Sequence, residues 1–395
     1  MNNEDLIKII WAKEPYLKQI RGYLHQYPEV SAHEFATASF LKNEILKIGL
    51  LITEVVGTGF YVLLEGGKPG KTVALRTEID GLPMEESADN LCGQKKWVSK
   101  NQGVSHSCGH DAHMAMMLTT ISVLSEIKDS LNGNIVFLFE EGEETGSGIQ
   151  AMIVAIRNLN IAAFFGMHVT SFMKSGMLCA DEGLKMAGSV LVEFEIIGKG
   201  GHGSRPDLSI NPLFATVQVI SGITSAWSNR IDVEETVTLG LTQMHCGTAN
   251  NIIAESAIVS GTLRFYDRNE ALHAIEVLKE TIVYTATAHR CKALTHNINI
   301  VNNPVMNDPI MSKISTHGIE ELLPGHNITG VKWYASETFC NYAVIAPVCF
   351  AFLGVGNPEI GSGAEHHNIH FDIDEDALKY GVAAQVKFAI DFLDS

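Results

Sequence analysis

Cys108-Gly109-His110-Asp111-Ala112-His113 sets a thiolate and an imidazole two residues apart at the head of a long apolar run, Met114 through Leu124. With one residue between them, a Cys and a His can face one metal ion from a turn that opens a helix. Zinc and similar divalent ions take thiolate, imidazole and carboxylate donors. Two donors do not complete a site, and three other stretches offer more. These are the acidic run Glu140-Glu141-Gly142-Glu143-Glu144, the strand-like segment 162–168 ending in His168, and the pair His366-His367. A Cys buried as a small hydrophobe beside a core histidine would explain Cys108 and His110 alone, but not four clusters in one chain. An acidic run is ordinarily a solvated loop; this one follows directly on a segment that reads as a buried strand.

Elements that could position these donors are legible around them. Short β-rich runs at 59–65, 72–76, 134–139 and 161–168 alternate with helical stretches near 111–127 and 146–159. The first fifty residues read as two helices separated at Pro28. Continuous apolar strands interleaved with helices predict an α/β core whose sheet is covered on both faces. Sites in such folds gather at the carboxyl ends of strands. Cys108 is expected in a loop, Glu143 and Glu144 just after a strand, and His168 at the end of one. From about residue 188 the pattern changes. Residues 190–196 alternate apolar and charged, as a sheet with one wet face should. Asn211-Pro212 then opens a helix to about Trp227. Strands at 236–245 and 257–266, a helix at 269–289 and a strand at 292–300 follow. The order β-α-β-β-α-β is that of a ferredoxin-like unit, expected as a domain inserted at 188–302 into a core formed by 1–187 and 303–395. The core resumes with a strand at 348–355 and ends in a helix at 374–393, with Asp374 as its N-cap.

Bulk properties narrow the function. The chain has 395 residues, 46% hydrophobic and 18% charged, which suits a globular protein with a large interior. A formal net charge of -17 argues against nucleic acid or an anionic membrane as partner, since phosphate binding needs a cationic face. The amino-terminal residues lack a basic segment followed by an apolar one, so no secretory signal is expected. The apolar stretch 342–355 contains Pro347 and is too short to span a bilayer. Seven cysteines without small-scaffold spacing predict a reducing, cytoplasmic setting. A zinc deaminase is excluded, because no Pro-Cys-x-x-Cys accompanies a His-x-Glu.

An ordered set of motifs runs through nearly the whole chain. It comprises Leu24-His25 with Pro28-Glu29, Leu75-Arg-Thr-Glu-Ile-Asp80-Gly-Leu-Pro83, and His106-Ser-Cys108-Gly-His110-Asp111-Ala-His113. It continues with Glu143-Glu144, Gly166-Met-His168, Gly198-Lys-Gly-Gly-His202, Asn251-Ile-Ile, Gly261-Thr-Leu-Arg264 and His367-Asn-Ile-His-Phe371. In this the chain resembles the M20 metallopeptidase clan, in its amidohydrolase branch of hippurate hydrolases, N-acyl-amino-acid amidohydrolases and auxin-conjugate hydrolases. The resemblance implies an α/β metal-dependent hydrolase core, a mixed sheet flanked by helices, with the inserted α+β ferredoxin-like domain as lid and dimerisation element.

It also implies two divalent metal ions per subunit, of zinc, manganese, nickel or cobalt. Cys108 would bridge both, with His110 and Glu144 on one side and His168 and His367 on the other. Two ions about 3.5–4 Å apart need a shared anionic ligand and can clamp the attacking oxygen and the amide carbonyl together. Glu143 would be the general base, taking a proton from the metal-activated water and passing it to the leaving nitrogen. Asp80 matches the acidic residue beneath the metals, with Glu78 where an Asp is commoner. Asp111 and His113 would support the ligands from behind, His113 serving this way or as plain packing. His366 competes with His367, and the spacing to Phe371 favours His367. On the inserted domain, His202 would help stabilise the tetrahedral oxyanion, in its own subunit or a partner's, and Asn251 and Arg264 would line the substrate side.

The implied reaction is cleavage of an N-acyl amino acid to a carboxylate and a free amino acid. The alternative is a dipeptidase or carboxypeptidase with the same two-metal site. Departures from the family pattern are Glu140-Glu141-Gly142 for Gln-Pro-Ala, Glu337-Thr338-Phe339 for Glu-Asp-Phe, and Ala254 for a Pro. These positions lie near the substrate in the family, so they bear on which acyl group and amino acid are taken.

Overall fold

The structure is a computed structural model and describes residues 2–395. The described residues divide into two compact units, one of residues 2–183, 306–331 and 341–395, the other of 184–305 and 332–340. The second unit thus begins before 188, ends after 302 and takes in a distant segment. That segment is held by backbone: the Trp333 N–H donates to the Lys185 carbonyl at 2.8 Å, and the Trp333 carbonyl accepts from the Tyr266 hydroxyl at 3.2 Å. No periodicity in 332–340 announces such contacts.

In the first unit the elements are α1 (Asn3–Ala12), α2 (Glu14–Gln26), α3 (Phe35–Lys47), β1 (Ile52–Glu54), β2 (Phe60–Glu65), β3 (Lys68–Glu78), α4 (His110–Glu126), β4 (Asn132–Glu140), α5 (Ile149–Ile156), β5 (Ile161–Lys174), β6 (Leu178–Cys179), α6 (Pro309–Leu322), β7 (Val348–Gly356) and α7 (Leu378–Asp394). The strands form one seven-stranded sheet in the order β1-β2-β4-β3-β5-β7-β6. Its four central strands are parallel, and the pairings at both margins are antiparallel. All nine residues of β7 are buried, as a central strand covered on both faces requires. Helices α4 and α7 pack with α1, α2 and α6 into one apolar core on β3, β4, β5 and β7. Across the sheet, Phe164 stacks on Tyr342 at 5.0 Å.

Three local expectations change. The amino-terminal segment holds three helices, because Pro15 in the first turn of α2 restarts the helix; its missing N–H costs nothing there. Strand β5 runs on to Lys174, so His168 lies within it, opposite Phe352 of β7, and does not end it. Helix α6 is an addition, started by Asp308, whose carboxylate accepts from the Ile310 and Met311 N–H groups, with Pro309 in its first turn.

The second unit is a four-stranded antiparallel sheet ordered Val237–Cys246, Ser256–Phe265, Gly188–Ile197, Lys292–Asn302. Helices Pro212–Arg230 and Arg268–Ala288 bury its apolar face around Val192, Phe194, Leu263 and Leu278. Asn211 caps the first helix through the Leu213 N–H.

Candidate metal centre

Two backbone features bring the donors of the first unit together. Gly109 precedes α4 with φ +96°, and a Cβ there would stand 2.4 Å from Val169 Cγ2. Only glycine allows both the left-handed turn and that close approach of helix to strand. Glu143 and Glu144 lie in a single turn, Glu143–Thr145, between Gly142 at φ +60° and Gly146 at φ +68°. The Gly142 N–H donates to the buried Glu34 at 2.9 Å, and the Glu144 N–H to Asp80 Oδ2 at 3.1 Å.

The donor atoms converge. One ligand atom each from Cys108, Glu144 and His367 lies within 4.8 Å of the others, as do those of His110, Glu143 and Glu144, and those of Glu78, His110, His113 and His168. Cys108 Sγ is 3.5 Å from His168 Nε2. Glu144 Oε1 is 3.9 Å from His110 Nε2 and 3.3 Å from His367 Nε2. His110 Nε2 and Glu144 Oε1 are buried and have no hydrogen-bond partner, a costly state for polar atoms unless something else binds them.

Supporting bonds fix which nitrogen each ring presents. His110 Nδ1 donates to Asp80, to its carbonyl at 2.9 Å and to Oδ1 at 3.2 Å. His168 Nδ1 donates to the Val169 carbonyl at 2.6 Å. Both rings therefore turn Nε2 inward, the arrangement common to metal-ligating histidines. Asp80 also accepts from the Ser31 hydroxyl at 2.6 Å. Asp111 faces away from the donors, taking His25 Nδ1 at 2.7 Å and Arg21 Nε at 2.9 Å. His113 Nδ1 donates to Glu78 while its Nε2 accepts the Val169 N–H. The two adjacent histidines differ sharply. His366 is committed at both nitrogens, Nδ1 to the Cys108 carbonyl at 3.1 Å and Nε2 to the Ser171 N–H at 3.3 Å. His367, at φ +58°, turns its ring the other way, toward Glu144.

The electrostatics fit a cation. Burial alone would lower the pKa of His110, but the carboxylates of Glu78, Asp80 and Glu144 outweigh it and raise the value to about 10; the site draws positive charge to itself. Burial pushes the Cys108 thiol well up, and Glu144 and Glu143 push it further. A divalent ion is what reverses that penalty. Burial and the neighbouring imidazoles hold His168 neutral, which is the form that ligates.

Several functional partners were not evident from spacing. Arg76 donates from Nε to Glu140 at 2.9 Å and from Nη1 to Glu78 at 2.6 Å, all three buried. The Tyr342 hydroxyl completes Glu140 at 2.7 Å. Glu141 accepts the Thr58 N–H and hydroxyl. The unusual Glu140-Glu141-Gly142 therefore braces the loop beneath Glu143 from inside the protein. The alternation Arg76-Thr77-Glu78 on one strand, placing Arg and Glu on the same face, was the available signal.

On the second unit, Gly201–His202 pairs with Ile252–Ile253, and a cavity of about 700 Å³ there is lined by His202, Asn251, Thr248 and Glu255. His202 Nδ1 accepts from the Ser204 N–H at 3.1 Å, so the ring proton sits on Nε2 of an exposed histidine. Arg264 is partly buried, and among the described residues no carboxylate pairs with it; burial lowers its pKa.

A mixed sheet flanked by helices, with thiolate, imidazole and carboxylate donors gathered in one place, is the layout of a metal-dependent hydrolase. The chain belongs to peptidase family M20/M25/M40, whose profile matches residues 74–391. It is 33% identical over 388 residues to thermostable carboxypeptidase 1 of Saccharolobus solfataricus, covering 96% of each chain. It is 32% identical over 269 residues to an N-acyl-L-amino acid amidohydrolase of Geobacillus stearothermophilus, covering 68% of this chain and 71% of that one. Among solved structures, a Bacillus subtilis protein described as a dinuclear metal-binding peptidase of family M20 superposes with a TM-score of 0.80 at 25% identity, over 97% of this chain and 99% of that one.

Proposed function

We propose that this protein is a metal-dependent amidohydrolase that cleaves N-acyl amino acids to a carboxylate and a free amino acid, using two divalent ions. The observation that carries the reading is the facing pair His110 Nε2 and Glu144 Oε1, buried, 3.9 Å apart and without a hydrogen-bond partner among the described residues, with His367, Cys108 and Glu143 beside them. Cys108, His110, Glu144, His168 and His367 would hold the ions. Such a pair, when bound, supplies Lewis acidity toward water and the amide carbonyl.

The protein's own groups carry the proton and the charge. Glu143 takes a proton from the attacking water as the C–O bond forms and delivers it to the nitrogen as the C–N bond breaks. His202, with its proton on Nε2, donates to the carbonyl oxygen as it becomes negative. Asn251 and Arg264 would receive the amino acid's carboxylate. A homodimer and a cytoplasmic setting belong to the same reading. None of the seven cysteines is in a disulfide, and no helix among the described residues is long and apolar enough to cross a membrane.

The test is metal-stripped protein reloaded with zinc, manganese, cobalt or nickel and assayed on N-acetyl and N-benzoyl amino acids beside dipeptides. Turnover of N-acyl substrates is expected. None across the panel, with two ions per chain verified, would overturn the reading. The Saccharolobus relative favours a second one, a carboxypeptidase or dipeptidase; it takes over if dipeptides are turned over faster than every N-acyl amino acid.

A further inference from the structure

Glu34 is completely buried, and its side chain binds the turn that bears Glu143. Its Oε1 accepts two backbone N–H groups, from Ala32 at 3.0 Å and from Gly142 at 2.9 Å. Both of those residues have left-handed backbone, at φ +62° and φ +60°. Its Oε2 has one partner, Thr58 Oγ1 at 2.7 Å. The same hydroxyl lies 3.2 Å from Glu141 Oε2, which also accepts the Thr58 N–H. A hydroxyl has a single proton to give. With two carboxyl oxygens against it, one of them faces oxygen lone pairs unless it brings a proton of its own. Glu141 Oε2 already has the Thr58 N–H to bind, whereas Glu34 Oε2 has this hydroxyl alone. The charged groups facing Glu34 are acidic, Asp80 just past β3 and Glu141 just past β4, and no cation is paired with it among the described residues. Burial pushes the Glu34 carboxyl above its ordinary 4.5, outweighing the Thr58 hydroxyl and the backbone N–H groups that favour ionisation, and Asp80 adds to the rise.

We propose that Glu34 is a positioning residue that holds the turn Glu143–Thr145 as a neutral carboxylic acid, its Oε2 proton donated to Thr58 Oγ1 and the Thr58 proton donated in turn to Glu141 Oε2. Every group at the junction is then satisfied. Two N–H groups meet Oε1, and one chain of donors runs from Glu34 through Thr58 to Glu141. The loop before β2, the segment leading into α3 and the turn after β4 are locked together at one buried point. A catalytic base works only where its oxygen is held in place, and Gly142 is the residue before Glu143. The positioning role rests on the reading of Glu143 as the base; the neutral acid does not.

Thermal melting of metal-loaded protein, wild type beside Glu34→Gln, tests the proton. A carboxyl whose folded value is raised contributes fully below its unfolded value, near 4.5, and loses that contribution as pH rises through the folded value. The amide reproduces the donor and acceptors of the acid and cannot ionise, and all other groups titrate alike in both proteins. Glu34→Gln should therefore gain on wild type as pH is raised from about 5 to about 8, by about 1 °C or more in Tm. A margin that is constant, or that shrinks with rising pH, overturns the neutral acid. Kinetics test the positioning, on whichever N-acyl amino acid or dipeptide the wild type turns over. Glu34→Ala leaves the Ala32 and Gly142 N–H groups without their acceptor. It should lower kcat roughly 10–100-fold with KM little changed and metal content intact, while Glu34→Gln stays within about threefold of wild type. Wild-type kcat in Glu34→Ala overturns the positioning role, and Glu34→Gln as slow as Glu34→Ala overturns the neutral acid. Where Glu34→Ala does not fold, Glu34→Asp, one methylene short of Gly142, takes its place in the same comparison. Should the wild type turn over neither class of substrate, the function proposed above fails, and the melting comparison still decides the state of Glu34.

Discussion

His113 and His168 hold the same residue from its two ends. The Val169 N–H donates to His113 Nε2 at 2.9 Å, and the Val169 carbonyl accepts from His168 Nδ1 at 2.6 Å. The rings meet edge to face with centroids 4.6 Å apart. A helix residue and a strand residue are thereby tied through one residue, Val169, which follows His168 in the chain. Replacing His113 by Leu strands a buried N–H, at a cost of about 1–3 kcal/mol, and frees Glu78 from its donor. Metal affinity should fall roughly 10–100-fold. Competition with a chelator reads this directly, and an affinity equal to wild type would mean that His113 only packs.

Glu143→Gln separates proton transfer from metal binding. The amide keeps the size of the side chain and cannot accept a proton from water, so turnover should drop about 10²–10⁴-fold. Metal content by mass spectrometry should stay at the wild-type level, since Cys108, Glu144 and His367 are untouched. A rate within a few-fold of wild type would move the base to Glu144.

Behind α4 lies a network whose pH dependence has a definite sign. Glu86 accepts from His25 Nε2 at 2.9 Å, from Lys95 Nζ at 2.8 Å and from the Ser99 N–H at 2.7 Å. Burial alone would raise its pKa, but the His25 and Lys95 contacts outweigh burial and hold it at about 2, below the ordinary 4.5. The ionised carboxylate is the form the fold prefers, so its contribution is complete above pH 4.5 and is lost as pH falls toward 2. Glu86→Gln should therefore be destabilised at pH 7, on the order of 3–5 kcal/mol as for a broken buried pair. The gap from wild type should close as the pH is lowered through that window. Melting temperatures of both proteins from pH 7 to pH 2.5 test it; a gap that stays constant assigns the loss to packing.

Much of this was legible in the sequence, and what was not has physical reasons. The donors Cys108, His110, Glu143 and Glu144 stand at a helix start and just after a strand, where turn chemistry and apolar runs mark the boundaries. The apolar run that marks strand β5 ends at His168, where the polar Thr170 and Ser171 follow, while the strand continues to Lys174. Both polar residues are buried, and the Thr170 hydroxyl spends itself on the Leu353 carbonyl at 3.3 Å. His366 and His367 are neighbours of one type, and only the left-handed backbone at His367 sends them opposite ways. The partnership of Glu78 with His113 joins residues 35 positions apart, and no local period encodes it. Glu140 and Glu141 stand near the substrate by the family resemblance alone; in the structure Arg76 and Tyr342 engage Glu140, and Thr58 engages Glu141, inside the protein.

His202 is the residue through which the second unit would enter the chemistry. Its Nδ1 is held by the Ser204 N–H and lies 2.8 Å from the Ser204 hydroxyl, so the donor on Nε2 is oriented before substrate arrives. An oxyanion donor acts once charge has developed on the carbonyl oxygen. His202→Ala should lower kcat about 10²–10³-fold with a much smaller change in KM. Metal content should be unaffected, because no ligand is removed. Mixing His202→Ala with Glu143→Gln subunits then asks where the histidine works. Activity regained on mixing means that it serves the partner's site in a dimer. With subunit exchange verified by mass-tagged chains, no regain assigns it to its own chain. Near-normal kcat in His202→Ala alone would leave the second unit to bind substrate without stabilising the transition state.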